Sequence, residues 1–207
     1  MPIFANKKQE YAGVMNVFWQ EPMKRDVMGY RLTNVADGDV ILPGTPIQTN
    51  EANKTAVVCH YAYVKAVALD KKTLTVERGH HMPADASVAI SGGDTLTALS
   101  LASVEDEKIV LSEANNDIAA GDILVEVVST TVGEGQDAVT TVSAKNVPNR
   151  IVNTMAEIDS IDKTCSAAHE GWVLQNIVHY PEEYLNKTVA PGTIYLAGCL
   201  GLKFMIQ

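Results

Sequence analysis

Two adjacent histidines, His80 and His81, are the side chains of this 207-residue chain best suited to chemistry. Imidazole nitrogens bind transition metals and transfer protons near neutral pH. Neighbouring residues of a strand point to opposite faces, so the two rings cannot easily bind one ion. No cysteine or third histidine follows at zinc-site spacing. The pattern favours a solvated corner over a metal site.

A run of carboxylates, Glu105-Asp106-Glu107, is the second candidate, because clustered acids bind calcium or exchange protons. Three acids in a turn are more often a solvated chain reversal. The Gly-rich string Ser91-Gly92-Gly93-Asp94 lacks the lysine and the following helix of a phosphate-binding loop. We therefore predict no catalytic residue, no cofactor, no metal and no enzymatic activity. A β-barrel enzyme using His80, His81 and nearby carboxylates stays open as an alternative.

The composition predicts that strands carry these residues. The chain has 24 Val, 16 Thr and 13 Ile, and branching at Cβ suits a pleated sheet better than a helix. We predict an all-β fold with one or two short helices, a small barrel or sandwich built from repeated hairpin units. No apolar run reaches the roughly 20 residues of a membrane-spanning helix, so no membrane association is expected.

An internal repeat underlies this prediction. Residues 66–90 and 99–127 share one plan: a strand, a charged turn, a strand, a polar corner, a small-residue step and a further strand. The turns are Asp70-Lys71-Lys72 and Glu105-Asp106-Glu107, and the steps end at Asp85 and Asp122. In each step the carboxylate is expected to accept backbone N–H groups at the corner.

Other segments are less regular. Residues 55–68 fit a strand or an Ala-rich helix, and the flanking strands favour the strand. Residues 129–146 fit a hairpin loop or a linker. Short helices are predicted after Asn149 and at Pro181-Glu182-Glu183. The apolar residues 194–207 predict a buried strand or a subunit contact.

Charge and cysteine content limit the possible partners. The formal net charge is −9, which disfavours binding to nucleic acid. Cys59, Cys165 and Cys199 are far apart in the sequence, as expected for small buried thiols in a reducing compartment. Residues 1–15 lack the apolar core of a secretory signal, so synthesis in a cytoplasm is expected.

The start of the chain has the opposite charge balance. Residues 1–31 hold five basic and three acidic side chains, a net charge of +2, which leaves −11 on the remainder. An aromatic and apolar cluster lies within them, and we predict that it docks on a partner: Tyr11, Val14, Met15, Phe18 and Trp19. The predicted segments are 1–30 for docking, 31–130 as the repeat-containing barrel or sandwich, and 131–207 as a C-terminal β region that could continue the same domain.

The order of these motifs resembles the head fibre and capsid decoration proteins of tailed bacteriophages. The likeness covers roughly residues 30–207. It rests on residues 41–46 (Ile-Leu-Pro-Gly-Thr-Pro), the Ala-rich stretch to Val64, residues 74–80 (Leu-Thr-Val-Glu-Arg-Gly-His) and residues 119–122 (Ala-Ala-Gly-Asp). The first repeat departs from the family pattern, with Ala84-Asp85 where a Gly-Asp step would stand.

The resemblance implies a non-enzymatic virion protein on the outside of an icosahedral head, made in the cytoplasm of a bacterial host. Its implied partners are the major capsid protein and further copies of itself, with a homotrimer favoured. No functional residue is carried over, because binding in that family is spread over a surface. The alternative is a glycan- or ligand-binding β-module with Tyr61, Tyr63 and Trp172 as its platform.

Overall fold

A computed structural model describes residues 17–19, 24–133 and 139–205. Its strands up to the middle of the chain are β1 (Lys24–Leu32), β2 (Val40–Ile41), β3 (Pro46–Asn50), β4 (Thr55–Val58), β5 (Tyr61–Val67), β6 (Thr73–Val76), β7 (Ser87–Ile90), β8 (Leu99–Glu105) and β9 (Lys108–Leu111). The later elements are β10 (Ile123–Val132), β11 (Val139–Ala144), β12 (Arg150–Val152), β13 (Ala156–Glu157), β14 (Thr164–Leu174), helix α1 (Gln175–Val178), a 3-10 turn (Glu182–Tyr184), β15 (Leu185–Ala190), β16 (Thr193–Leu196) and β17 (Cys199–Met205). The predicted all-β fold is confirmed.

Two compact units divide the chain. The first comprises Met1–Cys59, Val147–Tyr180 and Tyr184–Gln207, and the second comprises His60–Asn146 and Pro181–Glu183. These units cut across the predicted segments 1–30, 31–130 and 131–207, because the second unit is inserted within the first.

The first unit is built on a five-stranded barrel. Strands β1, β4, β3, β12 and β14 pair in that order, and β14 pairs back with β1 to close the ring. The end of β14 continues into a sheet with β17, β16 and β15. The barrel core contains Tyr30, Leu32, Ile47, Val58 and Val152, each at most 1% exposed. This dense apolar interior holds β14 rigidly where it enters the outer sheet.

The second unit is a six-stranded ring that confirms the repeat. Its order is β5, β6, β9, β8, β7 and β10, which pairs again with β5. Exchanging β5 with β8, β6 with β9 and β7 with β10 leaves this order unchanged, so two equivalent halves form one barrel. The register shift between Val64 and Ala66 recurs between Leu101 and Ser103.

The core of this ring shows the same twofold equivalence. Corresponding positions hold Val76 and Leu111, Met82 and Ile118, and Val88 and Leu124, all at most 5% exposed. Duplicated strands therefore supply matched side chains to one interior, as expected when neither half could bury its apolar face alone.

The small-residue steps of the two copies are equivalent, but their alignment differs by one residue from the predicted match of Asp85 with Asp122. The Ala86 N–H donates to Pro83 O (3.2 Å), and the Asp122 N–H donates to Ala119 O (3.3 Å). Ala86, not Asp85, thus occupies the position of Asp122. The predicted carboxylate cap is present in the second copy, where Asp122 Oδ2 accepts the Ala119 N–H at 2.8 Å.

The remaining local predictions have mixed outcomes. Within residues 55–68, Thr55–Val58 and Tyr61–Val67 are strands, and residues 129–132 pair with 139–142 as a hairpin. The helix predicted after Asn149 is wrong, because Arg150–Val152 is a barrel strand and the Asn149 side chain accepts the Thr49 N–H at 2.8 Å. Residues from 194 onward form β16 and β17, while 206–207 lie outside the described residues.

Candidate functional site

The most deeply buried ionisable pair is His60 and Glu126, which lies where β5 begins beside β10. Their side chains are each 2% exposed, with His60 Nδ1 2.8 Å from Glu126 Oε2. Lys145 donates to the other oxygen, Oε1, at 2.7 Å and is itself half-exposed. Burial opposes ionisation of Glu126, but the hydrogen bonds and charges of His60 and Lys145 outweigh it and lower the pKa of the carboxyl.

This cluster is arranged to hold strands rather than to transform a substrate. An ionised carboxylate can only accept, so the His60 Nδ1 carries the proton of the shared bond. Neither group reaches solvent, and both oxygens of Glu126 are already engaged. The three side chains thus tie residue 60 and residue 145 to the middle of β10.

The first of the two adjacent histidines, His80, also has both ring nitrogens engaged. His80 Nδ1 accepts the Met82 N–H at 2.9 Å, and Nε2 donates to Glu105 O at 3.1 Å. Burial lowers the pKa of His80, which favours this neutral tautomer. The ring therefore links the corner of the first repeat to the charged turn of the second. Among the residues that the structure describes, no group of three His, Cys, Asp or Glu is placed to hold a metal ion.

The Gly-rich turn at Ser91 holds a carboxylate from its own chain. Glu183 accepts the Ser91 hydroxyl at 2.6 Å and the Gly92 N–H at 3.1 Å, and the Glu182 N–H donates to Ser91 Oγ at 2.8 Å. These bonds explain why Pro181–Glu183 belongs to the second unit.

A row of aromatic and basic side chains crosses the outer face of the sheet that extends from β14. Trp172 pairs with Lys203, and Lys203 pairs with Tyr195, so the three lie side by side on adjacent strands. Lys203 Nζ lies 5.4 Å from the centroid of the Trp172 ring, within cation–π range. Each of the three is half-buried.

Trp19 extends this row on the other side of β14. Phe18 bridges Val173 in the antiparallel sense, and the Trp19 N–H donates to Trp172 O at 3.0 Å. Because side chains alternate along a strand, Phe18 shares the core face of Val173 and Trp19 shares the outer face of Trp172. Phe18 is 4% exposed and Trp19 is 51% exposed. We call Trp19, Trp172, Lys203 and Tyr195 the aromatic row.

The opposite face of the same sheet explains why the row is held rigidly. Val173, Tyr180 and Phe204 are at most 5% exposed, and the Tyr180 and Phe204 rings pack edge to face at 5.4 Å. The Tyr180 hydroxyl donates to Gly44 O in the loop before β3. The sheet therefore has one face in the core and the aromatic row on the other.

The predicted docking residues divide accordingly. Tyr11, Val14 and Met15 lie outside the described residues. Phe18 packs inside the protein, so only Trp19 of the described pair offers surface area to a partner. Of the platform residues of the alternative prediction, Tyr61 and Tyr63 belong to the second unit and Trp172 belongs to the first.

Sequence reasoning missed Tyr195 and Lys203. The overall apolarity of residues 194–207 predicts a buried strand or a subunit contact, yet Lys203 stands between Leu202 and Phe204 at the period of a strand. That alternation is the signal that could have placed Lys203 on an outer face. The pairing with Trp172 has no signal in the sequence.

The charge is divided between the units. The second unit holds six Lys and Arg against 15 Asp and Glu, a net charge of −9, and the first holds ten of each, a net charge of zero. The aromatic row therefore lies on the neutral unit, and the whole excess of acid lies on the repeat-built barrel.

Comparisons with protein-family models, with curated proteins and with solved structures gave no match to this chain. None of the helices in the described residues is long and apolar enough to cross a membrane.

Proposed function

We propose that this chain is a non-enzymatic structural protein that binds the outside of a tailed-phage capsid as a head fibre or decoration protein. The observation that carries the proposal is the aromatic row on a formally neutral unit, with Trp19 half-exposed beside Trp172. Exposed tryptophans on a rigid sheet are typical anchors of protein–protein interfaces. The motif order shared with the decoration family supplies the class of partner, a major capsid protein.

The unequal charge of the two units also supports binding to the shell through the first unit. The acidic barrel, at −9, repels the phosphates of nucleic acid, as suits a protein outside a packaged genome. The first unit has no net charge to repel a shell subunit, and it offers the aromatic row, which consists of three aromatic side chains and one lysine. Location on the virion exterior and synthesis in a bacterial host follow from this proposal.

Replacing Trp19 with alanine is expected to weaken capsid binding by about 30-fold, the effect of losing an aromatic anchor. The measurement is co-sedimentation with capsids of the phage that encodes the chain, purified without it. Leu69→Ala is the matched control, because Leu69 is a fully exposed apolar side chain of the other unit.

A second variant tests the segment ahead of the row. Deleting residues 2–16 leaves Val17–Trp19 in place, so the buried Phe18 still bridges Val173. If the predicted docking segment includes Tyr11, Val14 and Met15, this deletion weakens binding beyond Trp19→Ala. Wild-type protein that fails to sediment with the capsids, or Trp19→Ala that binds like wild type, would refute the docking surface.

A glycan-binding module is the second candidate, and the aromatic row favours it specifically. Flat aromatic faces beside a basic side chain suit stacking against sugar rings, and Trp172, Lys203 and Tyr195 are adjacent. Binding to an array of glycans that disappears in Trp172→Ala and persists in Leu69→Ala would support this function. An array without hits would remove it.

A further inference from the structure

The hairpin of β10 and β11 extends past the ring of the second unit. Strand β10 pairs with β5 and β7 only through residues 123–127, whereas residues 127–132 pair with β11. From Val128 onward β11 is therefore the only partner of β10 among the described residues. Val132 and Val139, opposite each other near the tip, are 69% and 64% exposed. Beyond the ring the hairpin has only two strands, and a third strand is what usually stabilises such a ribbon in water.

The arm has an unusual composition for so acidic a unit. Residues 127–133 and 139–144 contain no charged side chain, while the unit as a whole carries −9. They are mainly Val and Thr, the residue types that favour strands. A second acidic barrel would be repelled over most of this unit's surface, but the paired residues 127–132 and 139–144 add no charge to that repulsion.

The hydrogen-bonding groups along the outer edge of β11 can be assigned from the ladder. The Lys145 N–H donates to Glu126 O at 3.0 Å, so alternate residues from there, Ser143, Thr141 and Val139, bond to β10. The hydroxyls of Thr131 and Thr140 lie 2.9 Å apart, as expected for the closer, non-bonded pairs. The N–H and C=O groups of residues 140, 142 and 144 consequently face the open edge.

Strand β15, an open edge of the first unit's outer sheet, shows how this chain protects an edge. Strand β15 carries Lys187 at its centre, and its register with β16 shifts between Asn186 and Ala190. Central charges and irregular pairing are the usual barriers to edge-to-edge association. Strand β11 has neither, since its six pairs with β10 follow one register. The contrast between an unprotected edge and a protected edge within one chain indicates that β11 is an interface.

From this contrast we infer that β11 pairs with β11 of a second copy of the chain, antiparallel across a twofold axis. The second copy fits because identical uncharged strands meet with no like charges opposite each other. With Val142 on the axis, Thr140 faces Ala144 of the second copy, and Thr141 faces its Ser143. The outward groups at 140, 142 and 144 then all find partners, and the two sheets become continuous.

The test is sedimentation equilibrium of the full chain at 1–100 µM, a range that spans about two decades of association constant. Wild type is expected to reach the mass of two chains. Val142→Lys places two ammonium groups side by side on the axis and is expected to weaken association at least about tenfold. Val142→Pro removes one outward N–H without touching the bonds to β10 and is expected to act in the same direction.

Thr130→Lys is the matched control, because it adds the same charge to the same arm one strand away from the edge. It is expected to leave association within about threefold of wild type. Raising the salt from about 0.05 to 0.5 M should strengthen the wild-type dimer by screening the two acidic barrels. Circular dichroism spectra that match wild type show that each variant keeps its strands.

A wild-type monomer throughout this range would overturn the inference. The mass of three chains, as the family resemblance implies, would overturn the twofold geometry, and so would a Val142→Lys variant that associates like wild type. Capsid binding is measured separately through Trp19, on the other unit. The two experiments therefore distinguish a failure of the proposed function from a failure of this interface.

Discussion

Replacing Glu126 with alanine is expected to lower the free energy of unfolding by about 3 kcal/mol. The substitution removes the acceptor of a bond to His60, whose side chain is 2% exposed, and leaves that imidazole buried beside a cavity. It also releases Lys145, which donates 2.7 Å to the same carboxylate. Breaking a buried pair costs far more than its formation contributes, because the remaining partner keeps its desolvation penalty.

Urea denaturation followed by circular dichroism measures this effect, with Lys145→Ala as the control. Lys145 is 52% exposed, so its removal is expected to cost less than about 1 kcal/mol. A Glu126→Ala variant as stable as the Lys145→Ala variant would contradict the buried pair.

The same carboxylate gives stability a pH dependence. Its folded pKa lies below the ordinary value of 4.5, because the bonds from His60 and Lys145 outweigh burial. A depressed folded pKa contributes stability above about pH 4.5, and this contribution is lost as the pH falls through the folded pKa. The loss of stability on acidification should therefore be smaller in Glu126→Gln than in wild type. Equal acid sensitivity of the two proteins would show that another group is responsible.

Replacing Gly201 with alanine is expected to destabilise the first unit by about 3 kcal/mol, at the upper end for overpacking. Strands β14 and β17 approach so closely here that an added Cβ would collide with the His169 carbonyl oxygen and touch Glu170 Cα at 3.4 Å. The obstruction is the backbone of β14, so no side chain can rotate to relieve it. The strand that carries Lys203 would have to move away from Trp172.

Gly93→Ala is the matched control, because its added Cβ would meet its nearest atom, the Thr95 carbonyl oxygen, at 3.4 Å. Its cost is expected to stay below about 1 kcal/mol. Thermal unfolding of the two variants beside wild type measures the difference. A Gly201→Ala protein that melts with wild type would mean that β14 and β17 are not in this close register. Reduced capsid binding by a folded Gly201→Ala protein would show that the close approach of β14 and β17 positions the aromatic row for binding.

The barrel with duplicated strands shows which features can be predicted from local sequence patterns. Period-2 alternation and charged turns recurring in 66–90 and 99–127 were enough to predict both hairpins and their following strands. Asp70 illustrates why: its carboxylate accepts the N–H groups of Lys72 and Thr73, and these bonds lower the pKa of Asp70 to about 2. Such turns involve residues within three positions of each other, so the sequence specifies them directly.

The environments of the cysteines could be predicted only in part from the sequence. All three cysteines are free thiols; Cys59 and Cys165 are buried as predicted, whereas Cys199 is only partly buried. Burial raises the pKa of the Cys165 thiol to about 12, so it behaves as a small apolar side chain. The sequence could not show that Cys199 donates to His169 O at 3.1 Å, next to the close approach of β14 and β17 at Gly201.

The sequence by itself determined the β-rich class, the repeated hairpins and the sharp turns, because each depends on neighbours along the chain. The tertiary structure alone decided that Phe18 points inward while Trp19 points outward, and that Trp172, Lys203 and Tyr195 share one row. It also decided that His60 meets Glu126, 66 positions away. These partners are chosen by the closure of each barrel and the register of its strands. Register is a property of the whole sheet, since a slip of one residue turns every side chain to the opposite face.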